Sequence, residues 1–146
     1  MPVDVRTEIV IERPRAEVAA YAADPDNAPA WYENIKAVQW TTPKSLTRGS
    51  RVAFTAHFLG RVLRYTYEIR EHVPGERLIM STEEGPFPME TTYVWEDAGR
   101  NITGMTLRNR GMPAGFSRVV APFIAMVMRR ANQKDLATLK SILEAR

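Results

Sequence analysis

The sequence contains no cysteine. That absence excludes disulfide frameworks, thiolate nucleophiles, cysteine zinc sites and iron–sulfur clusters. Histidine is nearly as scarce, with only His57 and His72 in 146 residues. Both fall in extended segments flanking Gly60, and their offset of about nine residues corresponds to roughly 30 Å along a strand, too far to share a metal. His57 is expected to face outward. No HExxH helix is present, no GxSxG elbow, and no GxGxxG or GxxxxGK(S/T) phosphate loop. No metal or cofactor is therefore expected, and the serines lack the context of a nucleophile.

Long apolar runs are also missing. The most apolar stretch, VVAPFIAMVM from Val119 to Met128, is about half of the roughly 20 residues that a membrane span needs. The first dozen residues mix charges and lack an apolar core with a small-residue cleavage site, so a cytoplasmic protein is expected. Charge of one sign is not in excess either: 20 Lys and Arg stand against 17 Asp and Glu, a net +3 at pH 7. So small and dispersed a balance carries no nucleic-acid footprint.

What is present is the composition of a globular chain, 45% hydrophobic and 25% charged, of a length that fits one domain over residues 1–146. Residues 3–12 alternate, with Val3, Val5, Thr7, Ile9 and Ile11 against Asp4, Arg6, Glu8 and Glu12, the period of a half-buried strand. Pro14 opens a short helix, PRAEVAAYAA, because proline is tolerated in a first turn. The following DPDNAPAWYEN allows only a second short helix ending near Trp31 and Tyr32.

Strand patterns then run over 35–41, 50–59, 61–72, 76–83, 87–97 and 100–109, separated at Pro43–Gly49, Gly60, Pro74-Gly75, Gly85-Pro86 and Ala98-Gly99. Leu63, Tyr65, Tyr67 and Ile69 share one face, as do Phe87, Met89, Thr91, Tyr93 and Trp95. After a loop over 110–116 the chain reads as one helix from about Ser117 to Glu144, roughly 40 Å long at 1.5 Å per residue. Pro122 would kink that helix or mark its start.

One strand, two short helices, six strands and a long helix predict an α+β fold. Its seven-stranded antiparallel sheet, apolar on one face, curls around the C-terminal helix. Such a curl leaves a space that side chains fill or a ligand occupies.

The element order, together with RPRAEVAAYAADPDNAPAW, GSRVAFTAHFLGRVLRYTYEI, PGERLIMST, GPFPMETTYVW and the closing LATLKSILEAR, resembles the Bet v 1-like, START-related (SRPBCC) superfamily, specifically its bacterial polyketide cyclase/dehydrase and lipid-transport branch. The resemblance covers nearly the whole chain and implies a helix-grip fold with a hydrophobic tunnel between sheet and helix. None of these strings is a catalytic signature.

Phe54, Phe58, Tyr65, Tyr67, Phe87, Tyr93 and Trp95 all fall on inward positions, and together they read as a cavity wall for a flat or long apolar ligand, with tyrosine hydroxyls to orient it. Trp31, Met80, Met105, Phe116, Val120, Phe123 and Val127 complete the expected wall. The loop over 110–116 is expected to gate access, with Gly111 and Gly115 supplying freedom and Met112 and Phe116 apolar contacts. Among acids, Glu68, Glu90 and Glu96 fall on the wet face, while Glu83 and Glu84 lie near the tunnel mouth. No buried acid/base pair is evident. Arg129, Arg130 and Lys134 form a basic stripe, read as a solvated face or as a weak anionic-surface contact.

The expected function is binding of a small hydrophobic molecule such as a lipid, polyketide, isoprenoid or aromatic metabolite. About 300 Å² of buried apolar ligand surface yields roughly 7 kcal/mol before association costs. The resemblance implies two alternatives: a cyclase or dehydratase using Tyr65, Tyr67 or Tyr93, and a module that docks a ribosomal or quinone-linked complex.

Overall fold

A computed structural model describes residues 3–58, 60–82, 88–111 and 120–146. The first strand, β1 (Val3–Ile11), buries Val3, Val5, Thr7 and Ile11 and exposes the charged residues between them. The chain then forms α1 (Arg15–Ala23), one 3-10 turn over Pro25–Asn27, and α2 (Ala28–Trp31). Asp24 caps the turn by accepting the Asp26 N–H at 3.0 Å. Six strands follow: β2 (Ile35–Trp40), β3 (Arg51–Phe58), β4 (Arg61–Val73), β5 (Arg77–Thr82), β6 (Met89–Gly99) and β7 (Ile102–Gly111). The last element is α3 (Val120–Glu144).

The strands form one sheet in the order β1-β7-β6-β5-β4-β3-β2, antiparallel throughout. The expected seven-stranded helix-grip architecture is therefore present. Strands β1 and β2 occupy opposite edges, so α1 and α2 carry the chain across one end of the trough. Register keeps the apolar side together: Phe54 lies opposite Tyr65, Val52 opposite Tyr67, Leu78 opposite Tyr93, and Trp95 opposite Met105.

Three details depart from the pattern reading. Bulges between Ile35 and Ala37, Ile69 and Glu71, and Asp97 and Gly99 each add an unpaired residue, bending the strand and deepening the curl. The β6–β7 reversal lies at Arg100-Asn101 rather than Ala98-Gly99: Asn101 takes the left-handed conformation at φ 55°, which asparagine tolerates better than most residues, and Gly99 serves the bulge. Arg110 and Gly111, expected in the loop, end β7. Residues 112–119 lie outside those described, and Pro122 sits in the first turn of α3, where it leaves no helical hydrogen bond broken.

Helix α3 runs in the direction of β1. Ile124 packs with Val3 and Val5 near its start, and near its end Lys140 Nζ donates to Val10 O at 2.7 Å. Glu144 accepts the Glu12 N–H at 2.8 Å. Leu136, Leu139 and Leu143 are at most 1% exposed. They join Ile11, Val18 and Trp31 in the main core.

Arg13 closes the helix end by donating to Glu144 O at 2.7 Å, a carbonyl that the helix itself leaves unpaired, and to Arg146 O beyond the helix at 2.6 Å. Arg13→Ala should cost about 1 kcal/mol, about 3 °C in Tm, and quicken amide exchange in the last turn of α3. Unchanged exchange there would show that the arginine does not hold the helix end.

Candidate functional site

Between the concave face of the sheet, the alanines of α1 and α2 and the first half of α3 lies a cavity of about 630 Å³, within the usual range for small-molecule sites. The space exists because small residues meet there. Ala22, Ala23, Ala28, Ala56 and Ala131 come from α1, α2, β3 and α3, and none reaches far enough to fill what bulkier side chains would close. Helix α3 changes role along its length. Phe123, Ile124, Met128, Ala131, Asn132 and Asp135 face the cavity, whereas from Leu136 onward the same helix face is sealed in core.

Of the residues expected in the wall, Phe54, Tyr65, Tyr67, Met80, Tyr93 and Phe123 line the cavity. Trp31, Trp95 and Met105 do not. They are almost fully buried, packed where the trough narrows: Trp31 lies 4.0 Å from the Tyr32 ring and 5.9 Å from that of Tyr93, and Trp95 meets Tyr93 edge-on at 6.0 Å. Strand alternation puts Trp95 and Met105 on the inward face, but it carries no information on whether inward space at that level is filled. Val127 is half-buried beside the cavity and outside its lining. Phe87, Phe116, Glu83 and Glu84, residues 112–116 of the loop expected to gate access, and the side chains of Phe58 and Val120 lie outside the described residues.

Several polar groups inside the cavity are paired with one another. Tyr32 and Tyr93 share a hydroxyl–hydroxyl bond of 2.5 Å. Tyr67 pairs with Thr91 at 3.2 Å, and Thr91 donates to Asn109 Oδ1 at 2.9 Å. Burial raises the pKa of each lining tyrosine, that of Tyr67 to about 12, so the phenols stay protonated near neutral pH. They can orient a ligand by hydrogen bonding.

Two groups on α3 are additions to the expected site. Asp135 is 3% exposed. Its Oδ1 accepts the Glu33 N–H at 3.0 Å, yet burial outweighs that bond and pushes its carboxyl up to about 6. Asn132 is buried at 6% exposure, and its amide nitrogen has no hydrogen-bond partner, a deficit worth about 1–3 kcal/mol. The sequence shows no evident acid/base pair, and Asp135 adds a single buried acid to the cavity wall. Both lie in the stripe Asn132, Asp135, Leu136, Leu139, Leu143, whose helical spacing already assigns the leucines inward; carrying that phase one turn back would have found them.

The remaining candidates fall outside the cavity or at its mouth. Glu68 pairs with Arg51 and Arg70, and Glu90 with Arg110, on the wet face. Glu96 is exposed, as is His57, and the His72 ring lies 3.0 Å from Leu46 O. Lys134 pairs with Glu33 at 3.0 Å, which leaves Arg129 and Arg130 exposed as the rest of the basic stripe. Among the described residues no cluster of three His, Asp or Glu could hold a metal, and no helix is long and apolar enough to cross a membrane.

Residues 2–144 match the family described as polyketide cyclase/dehydrase and lipid transport. Among solved structures, the chain is similar to TTHA0849 from Thermus thermophilus, at 20% identity and TM-score 0.82 over 97% of each chain. It is also similar to the Zhui aromatase/cyclase from Streptomyces sp. R1128, at 13% identity and TM-score 0.84 over 100% of this chain and 96% of that one. A START superfamily protein from Mycobacterium smegmatis aligns at 12% identity and TM-score 0.83, over 97% of each chain. At these identities the likeness is one of fold. No curated protein sequence matches the chain.

Proposed function

The chain belongs to the polyketide cyclase/dehydrase and lipid transport family, and from that premise we propose that it holds one small hydrophobic molecule in the cavity between sheet and α3. Membership implies either hydrophobic-ligand binding or cyclase activity. The observation that carries the binding reading is the hollow itself: about 630 Å³ of space with largely apolar walls, inside a chain whose neighbouring core is filled. In this reading Phe54, Tyr65, Tyr67, Met80, Tyr93 and Phe123 contact the ligand, and affinity comes from apolar area removed from water.

Neutral N-phenyl-1-naphthylamine should bind saturably at one site and be displaced by whatever organic extraction or native mass spectrometry finds in the purified protein. Ala131→Phe projects a ring into the hollow from α3 and should weaken the probe by about tenfold or more with little change in Tm, because the ring enters empty space. Unchanged probe affinity in that variant, or no saturable uptake by the wild type, would count against the site.

A second reading, a cyclase or dehydratase, is favoured by Asp135. A carboxyl held near neutrality in an apolar cavity, facing Tyr32 and Tyr93, has the tuning that proton transfer needs. The docking-module alternative rests on the resemblance alone.

A further inference from the structure

We infer that Asn132 and Asp135 form a polar end of the cavity that selects an uncharged, carbonyl-bearing apolar ligand and rejects lipid carboxylates. The inference rests on the ligand-binding reading above and specifies what that site takes.

Three residues apart on α3, the two side chains line the same cavity. Asn132 is buried with its amide nitrogen unpartnered. Rotating the amide by half a turn about its last torsion exchanges donor and acceptor, and among the described residues nothing bonds to either end. A ligand carbonyl arriving there accepts the orphaned N–H and fixes that choice. Asp135 has one oxygen occupied by the Glu33 N–H, and no donor among the described residues engages the other. Nearby, the Tyr32–Tyr93 pair uses one of its two O–H groups internally, which leaves the second as a further donor.

Charge decides between carbonyl and carboxylate. Arg61 is the one cation among the described lining residues, and it is exposed. Lys134 is engaged with Glu33 outside. A ligand carboxylate at Asn132 would therefore be buried beside Asp135 with no interior counter-charge. The groups facing Asp135 are Tyr32 and Glu33 after α2, Tyr93 on β6, and Lys134 on its own helix. Burial raises the Asp135 carboxyl to about 6. A carbonyl ligand tolerates both of its states and, when the acid is protonated, gains a donor.

The test compares probes of one shape: 2-acetylnaphthalene, 2-ethylnaphthalene and 2-naphthoate, titrated by calorimetry at about pH 7.5 and about pH 5. The acetyl compound should bind about tenfold more tightly than the ethyl compound. Naphthoate should be weakest at the higher pH and gain about tenfold at the lower. Asn132→Leu should bring the acetyl compound to the level of the ethyl one, and Asp135→Asn should raise naphthoate affinity at about pH 7.5, leaving only the pH dependence of the probe's own protonation. Equal binding of acetyl and ethyl probes, or tightest binding of naphthoate at about pH 7.5, would overturn the selectivity and leave the cavity reading standing; the comparison on wild-type protein suffices should a variant misfold. Binding of none of them would overturn both.

Discussion

Asp135→Asn should make this protein more stable at about pH 7.5, by about 2 kcal/mol, and the gain should vanish by about pH 4. The native carboxyl titrates near 6 against 3.8 for the free group, so the folded state binds this proton more tightly than the unfolded chain does. Between those values the folded protein is protonated where the unfolded chain is ionised, and stability falls as pH rises through the window. Above about pH 6 the loss is complete, at most about 3 kcal/mol at 1.4 kcal/mol per unit. Asparagine keeps an oxygen for the Glu33 N–H, carries no charge to desolvate, and should recover most of it. Urea denaturation across the pH range reads the effect directly. A variant destabilised equally at every pH would mean that the carboxyl titrates alike in the folded and unfolded chain, so that burial does not raise it.

Leu139→Ala should cost about 2–5 kcal/mol, because Leu139 is fully buried where α3 is sealed against the core. Tyr67→Ala should cost less, about 1–2 kcal/mol, though its side chain is larger. The Tyr67 ring meets Phe54 and Tyr65 edge-on at 5.7 and 5.5 Å, and its hydroxyl meets Thr91, but its remaining side borders empty space. Truncation there widens an existing hollow and changes probe affinity, whereas truncating Leu139 opens a new void and leaves the probe alone.

Tyr93, grouped with Tyr67 by strand alternation, belongs with the leucines in this respect. It is wedged against Trp31 and Trp95 and bonded to Tyr32, so Tyr93→Ala should cost stability on the Leu139 scale. Thermal and urea denaturation beside probe titration would separate the two classes. Equal losses from Tyr67 and Leu139 would mark the cavity wall as ordinary core.

Sequence alone determined the order and type of elements in this chain: alternation with period two in β1, β4 and β6, the short helices bounded by Pro14 and by Pro25–Pro29, and the leucine spacing of α3. These signals are local, since a strand or helix face is set by residues a few positions apart, and with the resemblance they sufficed for the architecture. The inward direction of Phe54, Tyr65, Tyr67 and Tyr93 was legible for the same reason. Whether an inward side chain meets a neighbour or a void was not, because Ala22, Ala28, Ala56 and Ala131 come together only across the fold. Nor was the chemistry of Asp135 legible. A carboxylate between a lysine and a leucine reads as surface until the Glu33 N–H, the tyrosine pair and the cavity are placed around it. Its proton affinity is a property of that assembled surrounding, and only tertiary structure decides how much water remains there.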